Sequence, residues 1–144
     1  MNMSFATQPS RAPWGTVLAR VLLTFPFWES GLSKLLFFDA GVAEMTHFGL
    51  SPPALYNVAT IAVQLLGSAL IIAGYHAWLG AGALIVFTAL TVPIAHHFWN
   101  LAGPERLDAL HTASEHVGMI GALVLAGLAS TSTRRRSWAR DSQT

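Results

Sequence analysis

The stretch that decides the fold is "ALYNVATIAVQLLGSALIIAGYHAWLGAGALIVFTALTVPIA", Ala54 to Ala95. It consists of two apolar runs with only Tyr75-His76-Ala77 between them, and it contains no Asp, Glu, Lys or Arg. A bilayer core of about 30 Å is crossed by roughly twenty helical residues, and each run approaches that length. Helices are required, because a strand exposed to lipid would leave its backbone groups unpaired. A soluble helical bundle would need polar outer faces, and Val58–Ala73 and Leu79–Val92 offer almost none. The three-residue connection makes the two helices antiparallel neighbours.

Two further spans flank this pair. Trp14 to about Phe38 forms the first, with Pro13 placed to open a helix, and about His111 to Ala129 forms the fourth. Segment 40–51 is too short to span and is expected to form an interfacial helix or re-entrant loop ending at Gly49. The fold class is therefore all-α, an integral membrane four-helix bundle. Its parts are a polar N-terminal tail over 1–13, a four-span domain over 14–130 and a basic tail over 131–144. Composition agrees: 53% of the 144 residues are apolar and 10% are charged, where soluble domains run nearer a quarter charged. No cleavable signal peptide is expected, since residues 1–13 are merely polar.

Charge gives the orientation. The last fifteen residues carry Arg134, Arg135, Arg136 and Arg140 against Asp141, a balance of +3 within a formal net charge of +1. Arg11 and Arg20 lie near the start of span one, whereas Asp39 and Glu44 fall in the connection after it, and Glu105, Arg106 and Asp108 in the connection between spans three and four. The positive-inside rule then puts both termini in the cytoplasm. The basic tail directly follows an apolar run, so it reads as a topology signal and nucleic acid is not an expected partner. Cysteine is absent, which removes thiol redox chemistry and thiolate metal sites. The chain has no phosphate-binding glycine loop, Walker motif or serine nucleophile elbow.

Candidate site residues are the polar groups inside the spans, where a charge costs about 2.5–3.5 kcal/mol on insertion scales and must face a partner, a cavity or the interface. Arg20, Thr24, Gly31 and Lys34 share a face of span one, while the direction of Glu29 stays open because Pro26 interrupts the helix. Asn57, Thr60, Gln64 and Ser68 form one stripe on span two, readable as glue between helices or as ligand contacts, with Gly67 allowing close approach. Thr88 and Thr91 share a face of span three. Gly118, Gly121 and Gly127 read as packing positions in span four.

Four of the six histidines gather in "AHHFWNLAGPERLDALHTASEH", Ala95 to His116. His96, His97, His111, Glu115 and His116 are candidates for a polar cluster at the outward ends of spans three and four. His111 and Glu115 are spaced i, i+4, and His96 is expected to approach His111. Three readings stand side by side: a proton relay or quinone headgroup site; a metal or haem site built on His96, His111 and Glu115; and interfacial residues without chemistry. The ligand spacing matches no strong metal signature, so no stoichiometric metal is expected. Function is expected instead to change between about pH 5 and 8 as histidine titrates. Phe98 and Trp99 fit an aromatic belt.

Arg20, then ten intervening residues, then "GLSKLL" resembles the opening of the DoxX family of small four-span bacterial membrane proteins. "FGLSPPALYNVATIAVQLLGSALIIAG" is similar to that family's short loop and second helix, and "TVPIAHHFWNLAGPERL" to the end of its third. The resemblance covers roughly residues 14–130. Two positions depart from it: Gln64 stands where family members often have Glu, and Glu115-His116 where several have Lys-Asn. Glu29 is a candidate replacement for the missing second-helix carboxylate. The resemblance implies a multi-pass inner-membrane protein acting as a quinone-linked redox subunit or an accessory to a membrane oxidoreductase. Its partners would be the lipid bilayer, a membrane redox protein and further copies of itself. A non-catalytic scaffold or small-solute carrier is the rival reading.

Overall fold

The computed structural model describes residues 13–141, with side chains described for 14–130. Arg11 and the side chains of the arginine tail lie outside the described residues. Six α-helices follow one another: α1 (Pro13–Leu23), α2 (Phe25–Leu36), α3 (Phe38–His47), α4 (Pro53–Ala73), α5 (Ala77–Ala95) and α6 (Gly103–Asp141). A short 3-10 turn, Phe98–Asn100, joins α5 to α6, and no strand occurs among the described residues.

Three helical segments are long and apolar enough to cross a membrane: Pro53–Ala73, Ala77–Asn100 and Gly103–Ser130. The uninterrupted first span expected over Trp14–Phe38 is corrected to α1 and α2, broken at Thr24 and ending at Leu36. The cause is local. Pro26 has no N–H to offer the Leu22 carbonyl, and its ring crowds the preceding turn. Nearby side chains bond to carbonyls of the preceding turn: Thr24 Oγ1 donates to Arg20 O at 2.8 Å and the Trp28 indole N–H to Val21 O at 3.2 Å. The backbone ladder still passes through Thr24, whose N–H donates to Arg20 O at 3.1 Å and whose carbonyl accepts from Phe27 and Trp28.

The short segment after the first span is α3, which begins directly after Phe37 and precedes the turn at Gly49. It is held against α4 by Asn57, whose Nδ2 donates to Phe38 O at 3.3 Å. The fourth helix starts eight residues earlier than the expected His111, because Gly103-Pro104 opens it rather than lying in a loop.

The α4–α5 turn is as tight as the sequence requires. Gly74 closes α4 at φ 73°, and His76 precedes α5 at φ 49°. Two glycines set the crossing that follows: a Cβ on Gly80 would lie 2.6 Å from the carbonyl oxygen of Gly67. The core is small and runs through all the long elements, with Phe27, Ile71, Ala81, Leu84 and Leu123 at its centre. Of the polar stripe on α4, Asn57, Gln64 and Ser68 are buried and Thr60 is half-buried. A Cβ added at Gly127 would lie 3.5 Å from Ala81 Cβ, whereas one added at Gly118 or Gly121 would meet nothing within 4 Å.

Packing is sequential: α2 and α3 lie on α4, α4 on α5, and α5 on α6. Neither α1 nor α2 packs broadly on α6, so the helices do not close the ring that a regular four-helix bundle would form. A gap is left between α2 and α6, and side chains from every helix except α1 line it.

Candidate functional site

The gap is a cavity of about 440 Å³ at the end of the molecule that carries α3 and the α5–α6 connection. That volume is in the range of small-molecule sites. Its wall is mostly apolar, with Phe27, Met45, Phe48, Val63, Phe87 and Met119 among the lining residues. Polar groups arrive at helical spacing. Ser30 and Lys34 come from α2, Thr60 and Gln64 from α4, and Thr88 and Thr91 from α5.

These groups form a chain. Lys34 Nζ pairs with Glu44 of α3 at 2.7 Å and lies 3.5 Å from Ser30 Oγ, which also accepts from Gln64 Nε2 at 3.3 Å. The Lys34 side chain is 15% exposed and that of Glu44 42%. The lysine thus meets the cost of a charge inside a span with a carboxylate rather than by reaching for water alone. Gln64 is only 4% exposed, and its Oε1 has no hydrogen-bond partner among the described residues. A buried amide oxygen without a partner costs free energy, and Gln64 is one of the residues that line the cavity.

Histidines close the other side. His96, which caps α5, and His116 of α6 both line the cavity, with ring centroids 5.2 Å apart. His116 Nδ1 lies 2.7 Å from Thr112 O. A carbonyl only accepts, so Nδ1 carries the proton and Nε2 of the neutral ring is left as an acceptor. His97 is half-buried but does not line the cavity.

The expected approach of His96 to His111 is corrected: the partner of His96 is His116. His111 and Glu115 are both exposed, on the opposite side of α6 from buried Ala109, Ala113 and Leu123. They therefore do not join His96 in a ligand set. Among the described residues no three His, Asp or Glu side chains gather as a metal site. Metal analysis of protein purified without a histidine tag is expected to find no near-stoichiometric zinc, iron or copper. One equivalent of any of them would restore the metal reading.

The first-helix charges also divide. Lys34 lines the cavity, while Arg20 stands at the other end of the molecule with its guanidinium against Gly74, at the C-terminus of α4. A cation is favourable there because the last carbonyls of a helix carry partial negative charge. Glu29 is exposed on α2 and away from the cavity, so it does not replace a second-helix carboxylate. Glu44, which sequence reasoning treated only as a connecting-loop charge, faces Lys34 instead. Nothing periodic signals this pairing, since ten residues and the helix break at Phe37 separate the two.

Comparison with known proteins follows the same ground. The family model described as DoxX matches residues 15–97, which include α2, α3, α4 and α5 with the polar chain from Glu44 to Gln64. Inner membrane protein YphA of Escherichia coli (strain K12) is 26% identical over 109 residues, covering 76% of this chain and 78% of that protein. No solved structure matches the chain.

Proposed function

The chain belongs to the DoxX family of membrane proteins, and from that premise we propose that it is a quinone-binding subunit of, or accessory to, a membrane oxidoreductase. It is a multi-pass protein of the bacterial inner membrane. In this reading α1 and α2 together make the first of four spans; at 1.5 Å per residue they reach roughly 36 Å. Both termini face the cytoplasm, and the cavity opens toward the outer leaflet. An alkaline phosphatase fused after Thr144 is then expected to be inactive, and one fused in the α5–α6 connection active. Activity at the C-terminus overturns the topology.

One observation supports the binding role above others: an apolar cavity with a convergent set of polar groups, one of them a buried acceptor without a partner. A prenylated ring suits it, with the tail among the lipids and the headgroup between Gln64 and the two histidines. In this reading electrons come from a bound cofactor, the quinone itself or a partner protein. A passive scaffold needs no such cavity. The reading is tested by extracting purified protein and comparing its quinone content with that of mock-purified detergent micelles. Enrichment toward one quinone per chain is expected. Quinone at the micelle level, with protein that recruits partners normally, favours the scaffold.

A further inference from the structure

We infer that Thr60 and Tyr56, one turn apart on α4, position the ligand by hydrogen-bonding an uncharged ring oxygen, carbonyl or hydroxyl alike. This rests on the quinone-binding reading above and adds to it the side chains that hold the headgroup.

A helix in lipid has no water to offer a hydroxyl, so threonine there turns to a carbonyl of its own preceding turn. Thr24, Thr46, Thr88, Thr91 and Thr112 all donate in this way. Thr60 does not. It is half-buried and lines the cavity, yet its hydroxyl has no partner among the described residues. Thr16 also lacks such a bond, but it is exposed on α1 and does not line the cavity. Tyr56 precedes Thr60 by four residues, so the two share a face of α4. It too lines the cavity with a hydroxyl that bonds nothing among the described residues.

Much of the remaining polar wall is occupied by the protein itself. Thr88 and Thr91 bond their own helix, and Gln64 and Lys34 meet at Ser30, with Glu44 closing that chain. Ser30 accepts both of those bonds and keeps its own proton, and the His96 ring makes no hydrogen bond among the described residues. Uncommitted donors thus come to one cavity from α2, α4 and α5, and α4 supplies two of them in line. Because Glu44 already answers the charge of Lys34, the groups left for a ligand suit a neutral polar end. A hydroxyl donates to a carbonyl and accepts from another hydroxyl, so this pair serves both members of the quinone couple.

The test measures decylubiquinone binding to the purified full chain in dodecyl maltoside, by isothermal titration corrected for partition into empty micelles. Thr60→Val keeps the branched shape and removes only the hydroxyl. It is expected to weaken binding about fivefold, the equivalent of one neutral hydrogen bond. Thr60→Ser, which restores a hydroxyl, should stay within about twofold of the unaltered chain. Without ligand, Thr60→Val should leave the thermal midpoint unchanged, since its hydroxyl bonds nothing in the protein. Thr91→Val gives up a bond to its own helix and should cost less affinity than Thr60→Val. Tyr56, at 43% exposed, is the wetter of the pair, and Tyr56→Phe should weaken binding about threefold. That variant decides the matter should Thr60→Val fail to fold. Unchanged affinity in Thr60→Val and Tyr56→Phe, or an equal loss in Thr60→Ser and Thr60→Val, overturns the inference and leaves the quinone-binding reading intact. Absence of binding by the unaltered chain overturns both.

Discussion

Gly80→Val is expected to destabilise the protein by about 2–3 kcal/mol, while Gly82→Val, two residues along the same helix, is expected to change stability by less than about 0.5 kcal/mol. The difference is geometric. A Cβ at Gly80 would lie 2.6 Å from the Gly67 carbonyl oxygen and 3.0 Å from Leu70 Cβ, while one at Gly82 meets nothing within 4 Å. A long flexible side chain could swing away from the intruder, but a backbone carbonyl inside a helix cannot, so α4 and α5 must separate. Lipid gives no hydrophobic drive to bring them back, because tails are as apolar as the side chains they replace. Thermal unfolding in detergent, read by circular dichroism, checks the pair. Equal shifts for the two variants would mean that the α4–α5 crossing does not rest on this close approach.

Lys34→Met should weaken binding of the quinone pair by tenfold or more, whereas Arg20→Met should leave it within about twofold. Both residues are cations in the first span, yet only Lys34 lines the cavity. Its removal leaves Glu44 without its counter-charge and Ser30 without one of its two donors, so the chain that orients Gln64 loses its end. Arg20 instead lies against the end of α4, where its loss costs roughly 0.3–1 kcal/mol of helix-terminus electrostatics. Glu44→Gln gives a third reading: the lysine loses its carboxylate but keeps Ser30, so binding should fall less than in Lys34→Met. Equal losses for Arg20→Met and Lys34→Met would detach the cavity from ligand recognition.

The spans were legible because apolar length is read directly from composition, and the stripe from Asn57 to Ser68 was legible because its spacing on one helix fixes a face. The site was legible only where it stayed within one helix. Pairing between helices was not: sequence reasoning placed His111 opposite His96, choosing the face of α6 with the richer chemistry. The buried face is instead marked by its small residues, Ala109 and Ala113, with His116 in line one turn later. In lipid, close approach of small side chains decides which face packs, and polar groups near the interface can face outward at little cost. The break at Thr24 shows the same limit. Pro26 announces a disturbance, but only the arrangement of Thr24 and Trp28 around it tells how the helix absorbs it.

We propose that the gap between α2 and α6 is where a quinone-type ligand sits. Photolabelling of the purified chain with an azido-substituted ubiquinone analogue, followed by peptide mapping, tests it most directly. Label is expected within residues 26–34, 59–64, 87–96 and 116–119, in competition with unlabelled decylubiquinol, and should be lost when Thr91→Trp fills the cavity. Label confined to the lipid-facing residues of these helices, unaffected by competitor or by Thr91→Trp, would contradict it.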